Sequence, residues 1–160
     1  MIWADKELAS NHYQVTEEWA RDVFNKAKNA YEKQNKKFEY SDHMNYTKTI
    51  QSWSINFLRE GPVVAIVAQG PHAVELVRKI VGTTEPRQAI PGTIRGDYTI
   101  DSYKLADADG RAVRNIVHAS GNEEEAEAEV LLWFKKEELI NYRLIQEAVL
   151  YDVNLDGILE

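Results

Sequence analysis

The stretch that decides the fold class is Gly61-Pro62-Val63-Val64-Ala65-Ile66-Val67-Ala68-Gln69-Gly70-Pro71. The Gly-Pro pairs at its two ends are turn signals, and the continuous apolar run between them is typical of a strand buried on both faces. Pro71 suits the first turn of a following helix, because its missing amide costs nothing there. The stretch therefore predicts a β-strand followed by an α-helix.

The part of the chain before this stretch is expected to be helical, because residues 1–60 contain none of the eight glycines and none of the four prolines. Asp5 is a suitable N-cap for a helix over residues 6–12. Thr16, followed by two glutamates, marks a second helix start.

Two longer helices are predicted before residue 61. A four-residue repeat predicts the core-facing side of the first of them: Trp19, Val23, Ala27 and Tyr31. The Lys-rich stretch 32–42 is interpreted as a solvated helix end and loop. The next helix has apolar residues at Ile50, Trp53 and Phe57, and Gly61 is expected to end it.

After residue 71 the sequence predicts a helix, a long loop, a short strand and a last helix. Val74, Val77 and Val81 give the first helix an apolar face that ends at Gly82. Residues 83–110 are rich in turn formers and charge, and a loop of this length is usually functional or disordered. Ile116-Val117 is the centre of the strand. Ser120 to Glu123 fits the capping-box pattern for a helix with a core face at Ala126, Val130 and Trp133.

These elements indicate an α+β sandwich in which helices cover a sheet. The strand count is short, because only two full strands and an apolar stub at residues 1–4 can be identified, whereas a stable sheet normally has three or more. Either a strand lies within residues 97–104, or part of the sheet is supplied from outside this chain.

Length and composition exclude several function classes. The chain has 160 residues, about one domain, and a net charge of −7, which argues against dedicated nucleic-acid binding. The absence of cysteine excludes disulfides, thiolate metal sites and cysteine nucleophiles. No apolar run approaches the roughly 18 residues of a membrane span, and no secretory signal is recognised. We therefore expect a cytoplasmic protein.

His118 is the most suggestive ionisable residue, because it ends a predicted strand just before a capped helix, and imidazole is a competent nucleophile or acid–base group near neutral pH. The helix end offers free amides for an anion. Glu125 or Glu129 could orient the imidazole, although a purely structural histidine remains an equal alternative. The arginines that could bind phosphate are Arg78, Arg87, Arg95 and Arg114. The remaining histidines, His12, His43 and His72, are interpreted as surface residues.

Several motifs together make the interpretation specific: Pro91-Gly92-Thr93-Ile94-Arg95-Gly96-Asp97, Arg114-Asn115-Ile116-Val117-His118-Ala119-Ser120, Glu125-Ala126-Glu127-Ala128-Glu129 and Trp133-Phe134. They resemble the active-site signature of nucleoside diphosphate kinases. The strand after Gly61, the helix around Arg78 and the segment Thr84-Glu85-Pro86 are similar to the same family, over about residues 1–142.

The resemblance implies a ferredoxin-like sandwich with an antiparallel sheet, and an enzyme that passes the γ-phosphoryl of a nucleoside triphosphate to a nucleoside diphosphate. His118 matches the nucleophile that becomes phosphohistidine in a ping-pong cycle, Glu129 the carboxylate that holds it, and Ser120 the neighbouring hydroxyl. The matching nucleotide-binding residues are Tyr13, Arg78, Thr84 and Arg95 for the phosphates and Asn115 for the sugar. Mg²⁺ is implied as a cofactor held through the nucleotide phosphates, with no protein metal ligand. ATP and other nucleotides are the implied partners, and a homo-oligomer is what the family suggests.

Three departures from the family pattern shape the prediction. No Lys-Pro occurs in the sequence, whereas the family's first strand carries Lys-Pro-Asp, and the usual aspartate at position 121 is Gly121. The phenylalanine that covers the base has no clear counterpart, although Tyr46 or Trp53 could substitute for it. We therefore expect a single domain over residues 1–160 that lacks its first strand–helix segment and ends in an extension over 143–160.

Two functions from different classes follow from these departures. The first is an active kinase, alone or after a complementary N-terminal fragment supplies the central strand. The alternative is a non-catalytic nucleotide-binding or assembly subunit that needs such a fragment. A generic regulatory module of ferredoxin-like fold is a third possibility, but it leaves the combination of histidine and arginines unexplained.

Overall fold

The computed structural model describes residues 1–33 and 35–140, together with Tyr142, Leu144, Gln146 and Leu150. The predicted extension over 143–160 lies almost wholly outside the described residues. The α-helices within them are α1 (Lys6–His12), α2 (Glu17–Lys33), α3 (His43–Leu58), α4 (Ala73–Val81), α5 (Ile94–Tyr98), α6 (Tyr103–Asp109) and α7 (Glu123–Trp133). Short 3₁₀ turns lie at Pro86–Gln88 and Lys136–Glu138.

The predicted starts of the first two helices are confirmed. The Asp5 carboxylate accepts a hydrogen bond from the Leu8 amide at 2.8 Å, and Thr16 Oγ1 accepts one from the Trp19 amide at 3.2 Å. Each of these side chains satisfies an amide that has no partner within the helix. Local hydrogen-bonding chemistry therefore sets where α1 and α2 begin.

The predicted core-facing side of α2 is half-buried at three of its four positions, and Trp19 is the exception. Trp19 is 42% exposed, whereas its neighbour Ala20 is fully buried. Ala20 meets Thr47 of α3, also fully buried, whose hydroxyl donates to the His43 carbonyl at 2.6 Å. Two small residues at this crossing let α2 and α3 approach closely, and an indole at that place would hold them apart.

The stretch 32–42, interpreted as solvated, also contributes to the packing of this helix pair. The ring of Phe38 packs edge-on against the rings of Phe24, Tyr31 and Tyr46, each at a centroid distance of 5.2 Å. Edge-to-face pairs of this kind contribute beyond the area they bury. The lysines of the stretch stay exposed, while the Phe38 ring packs against the helix pair.

The predicted strand over residues 63–68 does not form a strand within the described residues. Val63 makes an isolated antiparallel bridge with Ile2, through two hydrogen bonds of 2.8 Å. Beyond it, Val64 is 68% and Ile66 80% exposed. The half-buried Val63 and Ala65 alternate with these exposed residues, which is the two-residue period of a strand with one free face. The stretch therefore has a strand's pattern without strand neighbours.

The second predicted strand, at Ile116-Val117, is also absent. The Asn115 amide bonds to the Val113 carbonyl at 3.0 Å and the Val117 amide to the Asn115 carbonyl at 2.7 Å, a pattern of successive three-residue turns. Ile116 has a φ of +57°, a region that β-branched residues rarely adopt. Without an adjacent strand, the backbone groups of this segment pair locally.

The long loop expected over residues 83–110 is instead largely ordered into the 3₁₀ turn at 86–88 and the helices α5 and α6. These helices are too short for a periodic apolar signal, but each has a capping side chain: Thr93 accepts from the Gly96 amide at 3.2 Å and Ser102 from the Leu105 amide at 3.3 Å. Gly96 is required at its place, because a Cβ there would overlap the Ile90 carbonyl.

The antiparallel sheet of the predicted ferredoxin-like sandwich is therefore not seen in the described part of the chain, where helices dominate. The extended stretch 62–68 and the segment 115–120 line a cavity of about 810 Å³, together with residues of α1, α3, α4 and α7. Among the described helices, none is long and apolar enough to cross a membrane.

Asp101 ties the segment before residue 115 to the helical part of the chain. Its carboxylate, 9% exposed, accepts from the Arg111 guanidinium at 2.6 and 3.2 Å and from the Arg114 amide at 2.6 Å. Mainly through the bonds from Arg111, the pKa of Asp101 falls to about 2 from an ordinary 3.8.

Asp101→Asn should therefore lower the free energy of unfolding at neutral pH by about 2 kcal/mol. Because the folded-state pKa is lowered, this stabilisation is present above about pH 4 and is lost as the pH falls through about 2. Urea titrations at several pH values would measure both effects. Asp109→Asn is the matched control, since Asp109 is 58% exposed and contacts Arg111 only at the surface, and its effect should stay within about 0.5 kcal/mol. Equal effects of the two substitutions would contradict this assignment.

Candidate active site

The Glu129 carboxylate on α7 is the centre of a hydrogen-bonded cluster beside the cavity. Its Oε1 lies 2.7 Å from His118 Nε2, and its Oε2 accepts a hydrogen bond from the Ser120 hydroxyl at 2.5 Å. The structure thus brings together the three residues that the resemblance names as nucleophile, holding carboxylate and neighbouring hydroxyl.

Ser120 reaches Glu129 because it is not the N-cap of α7, contrary to the capping-box prediction. Asn122 caps the helix instead, and its side chain accepts from the Glu125 amide at 2.8 Å. The Gly121 amide donates to the Glu125 carboxylate at 2.6 Å. The chain's own side chains therefore occupy two of the amides near this helix end, where the sequence predicted amides free to bind an anion.

The electrostatics of Glu129 favour an ionised carboxylate. Partial burial raises its pKa, but hydrogen bonds from His118 and Ser120 lower it by more, and the net shift is downward. An ionised carboxylate only accepts hydrogen bonds, so the His118 nitrogen that faces it carries the proton. The Nδ1 atom of a neutral His118 is then the nitrogen with the free lone pair.

His12 was interpreted as a surface residue, and this was wrong. Its side chain is 4% exposed, and its Nδ1 lies 3.5 Å from Glu129 Oε1. Its ring meets the His118 ring at 4.6 Å and an angle of 81°, and its Nδ1 accepts from the Trp133 indole at 3.3 Å. A sequence signal existed, since His12 follows the buried Ala9 by three residues and so shares its face of α1.

The other two histidines do not belong to the cluster. His72 is 77% exposed, as predicted for a surface residue. His43 is 23% exposed and lies 2.7 Å from the Glu17 carboxylate, so it links the starts of α2 and α3.

Among the candidate arginines, Arg78 and Arg95 lie beside the His118 segment. The exposed Arg78 places its Nη1 3.4 Å from the carbonyls of Ala119 and Ser120. Arg95 is 6% exposed and donates to the carbonyls of Gly82 at 2.8 Å and Val117 at 2.6 Å. Burial lowers the pKa of Arg95, with a further contribution from Arg78. Arg95 therefore holds the backbone on the N-terminal side of His118.

The other two arginines pair with carboxylates. Arg114 binds the Glu60 carboxylate, with one nitrogen–oxygen distance of 2.9 Å, and lies 4.9 Å over the Phe57 ring. Arg87 Nε lies 3.4 Å from Glu85 Oε1. Neither arginine is brought to the cluster around Glu129.

Two of the three remaining predicted site residues lie at the cavity. Tyr13 and Asn115 line the cavity, and burial, followed by the negative charge of Glu129, raises the pKa of Tyr13. Thr84 is exposed in the turn after α4. The structure therefore brings Tyr13 and Asn115 to the cavity that His118 also lines. Thr84 lies on the surface and is not among the residues that line this cavity.

Potential metal ligands within the described residues are two imidazoles and one carboxylate. One atom each from His12, His118 and Glu129 lie within 4.8 Å of one another. Mg²⁺ prefers oxygen ligands and keeps several waters, and the oxygens of Glu129 are already engaged by His118 and Ser120. This set therefore does not suit Mg²⁺ as a metal ion held by the protein.

Comparisons with known proteins agree on one family. The family profile described as nucleoside diphosphate kinase matches residues 1–139. A nucleoside diphosphate kinase of Pyrobaculum aerophilum is 41% identical over 144 residues, which cover 88% of this chain and 79% of the relative.

Solved structures show the same similarity. The crystal structure of an NDP kinase from Pyrobaculum aerophilum aligns with a TM-score of 0.81 at 39% identity, covering 88% of this chain and 79% of that one. A Borrelia burgdorferi nucleoside-diphosphate kinase, solved as a transition-state mimic with bound vanadate and ADP, aligns with a TM-score of 0.71 at 32% identity, covering 92% of this chain and 74% of that one.

The Glu129 contact should fix the tautomer of His118. In the wild-type protein, ¹⁵N NMR of the imidazole should show the proton on Nε2, and Glu129→Ala should give a mixture of both tautomers. Glu125→Ala is the matched control, because Glu125 lies one turn earlier on α7 and bonds to the Gly121 amide rather than to His118. An unchanged His118 spectrum in Glu129→Ala would refute this arrangement.

Proposed function

Because the chain belongs to the nucleoside diphosphate kinase family, we propose that it transfers the γ-phosphoryl of a nucleoside triphosphate to a nucleoside diphosphate through His118. One observation carries the assignment of the nucleophile. His118 Nε2 lies 2.7 Å from the ionised Glu129 carboxylate, which leaves Nδ1 as the nitrogen with a lone pair to offer.

In the first half of the reaction, the Nδ1 lone pair of His118 attacks the γ-phosphorus. The bond from that phosphorus to the bridging oxygen breaks, and its electron pair leaves with the nucleoside diphosphate. In the second half, a terminal phosphate oxygen of the acceptor attacks the phosphohistidine, and the electrons of the broken P–N bond return to Nδ1. The proton on Nε2 stays beside Glu129, whose negative charge stabilises the positive charge that the ring gains on attack.

Charge neutralisation accounts for much of the remaining catalysis in phosphoryl transfer. Arg78 is proposed as a phosphate ligand, because it is exposed and its two contacts to carbonyl oxygens are long, at 3.4 Å. Arg95, Thr84 and Tyr13 stay proposed phosphate ligands through the resemblance, and Asn115 a sugar ligand. Mg²⁺, when bound with the nucleotide, supplies further positive charge at the phosphates.

The cavity supports a second candidate, in which the chain binds nucleotide but needs an added strand before it transfers phosphate. The apolar stretch 62–68 and the segment 115–120 line this cavity, and neither belongs to a sheet within the described residues. Among the described residues that line the cavity, the acidic ones are Glu60 and Glu129, and no lysine or arginine is present. An apolar strand with a lysine at the His118 end would complement both features, as the resemblance also implies.

A homo-oligomer and a cytoplasmic location stay predictions from the sequence.

Phosphorylation of His118 can be tested directly with γ-³²P-labelled ATP. The wild-type protein should take up acid-labile, alkali-stable label, and His118→Gln should reduce labelling by at least about 10³-fold, because the nucleophile is gone. His72→Gln is the matched control on an exposed histidine and should label normally. Undiminished label in His118→Gln would refute His118 as the nucleophile.

The need for an added strand can be tested with a synthetic peptide. Stretch 62–68 has seven residues, about 23 Å of extended chain, so an eight-residue Val/Ile-rich peptide ending in lysine matches its length. If the second candidate holds, this peptide should raise turnover at least 10-fold. A peptide with proline at alternate positions should not, because it lacks the amides for strand pairing. Full turnover by the chain alone would exclude this candidate, and calorimetric nucleotide binding without turnover under all conditions would favour the non-catalytic subunit.

A further inference from the structure

We propose that His12 is a positioning residue for His118. We further propose that Trp133 enables His12 to do this by fixing the tautomer of the His12 ring. The proposal deepens the proposed phosphoryl transfer and rests on it for its kinetic consequence, while its structural part concerns the free protein. His12 touches neither substrate nor reacting atoms in this scheme. It acts on His118 by influencing which ring nitrogen of His118 carries the proton.

The first argument is geometric. His12 lies in the last turn of α1, with its side chain 4% exposed. Its ring stands at 81° to the His118 ring with a centroid distance of 4.6 Å, and at 80° to the Trp133 indole at 5.5 Å. Edge-to-face packing at these distances is favourable and directional. The His118 ring is therefore held on one side by His12 and at one nitrogen by Glu129.

The second argument concerns protons. The Trp133 indole nitrogen can only donate, and it points at His12 Nδ1 from 3.3 Å. Nδ1 of His12 must then be the acceptor, so the proton of the neutral ring sits on Nε2. Burial, followed by the proximity of His118, lowers the pKa of His12, and the ring is neutral at physiological pH.

The tautomer of His12 determines which imidazole can donate a hydrogen bond to Glu129 Oε1. Glu129 Oε1 is 2.7 Å from His118 Nε2 and 3.5 Å from His12 Nδ1. Two imidazoles thus reach the same acceptor. Because Trp133 keeps the Nδ1 of His12 unprotonated, His12 cannot donate to this oxygen, and His118 alone can.

Loss of the indole donor would remove that restriction. His12 could then move its proton to Nδ1 and donate to Glu129 Oε1 in competition with His118. His118 would in turn populate the tautomer with the proton on Nδ1, which has no lone pair at the nitrogen proposed to attack phosphorus. Trp133 therefore influences the nucleophile across two intervening side chains.

Trp133→Phe tests this relay, because it keeps an aromatic ring and removes only the indole ring's N–H donor and part of its volume. We expect ¹⁵N NMR of the nucleotide-free protein to show His118 change from a single Nε2-protonated form to a mixture. We expect kcat to fall about 10-fold, with KM for both nucleotides within about 2-fold, because ground-state binding is untouched. Trp3→Phe is the matched control, since Trp3 is 68% exposed and should change neither quantity.

The double variant Trp133→Phe/His12→Phe separates positioning from a merely structural role. A phenylalanine at position 12 keeps a ring beside His118 but cannot donate to Glu129, so the double variant should regain the single His118 tautomer and most of the lost kcat. A merely structural role of Trp133 predicts that the double variant is at least as impaired as Trp133→Phe.

Either of two results would overturn the proposal. One is a single, Nε2-protonated His118 in Trp133→Phe, and the other is a double variant with no recovery of that tautomer. Both are read from the free protein, so they are informative even if His118 takes up no phosphate. Failure of the proposed kinase function would instead appear as absent labelling of a wild-type protein whose His118 spectrum is as expected.

Discussion

The hydrogen bond between Glu129 and His118 is the interaction on which the site depends, because it joins parts of the chain that have few other reasons to meet. Glu129 belongs to α7, and its two oxygens reach His118 and Ser120 in the preceding segment. The same carboxylate lies beside His12 at the end of α1. In a partly buried place each of these contacts is stronger than it would be in water. One carboxylate thus contacts His118, Ser120 and the end of α1.

The contrast between well-formed helices and missing strands follows from how each satisfies its backbone. A helix pairs its amides and carbonyls within one segment, so α2 and α3 need neighbours only to bury their apolar sides, which pack against each other and against Phe38. A strand has no internal hydrogen bonds and depends on neighbours that are distant in sequence. Stretch 62–68 finds one such neighbour, at Ile2, and its remaining apolar residues lie along the cavity. The strand pattern is therefore present in the sequence, while its pairing requires a second backbone.

The sequence predicts what local chemistry decides. The caps of α1 and α2 and the end of α4 at Gly82 are predicted correctly because one or two residues determine each. The resemblance also names His118, Glu129 and Ser120, which the structure brings together. The helices within 83–110 are missed because they are too short to show a period. His12 is missed because its burial depends on the docking of α1 against α7, and its spacing from Ala9 indicates only which side of α1 it occupies.

The charge around His118 sets a further requirement on catalysis. Among the described residues, the ionisable side chains that line the cavity are two carboxylates and two histidines, with no lysine or arginine. In addition, α7 begins with three consecutive glutamates. Arg95 is committed to two backbone carbonyls, so Arg78 is the arginine beside Ser120 with the most freedom to move. A triphosphate that approaches this site brings more negative charge to a place where negative charge already predominates. Under the proposed function, triphosphate binding therefore needs positive charge in addition to Arg78. Magnesium carried by the nucleotide and the lysine proposed on an added strand are the sources that this proposal names.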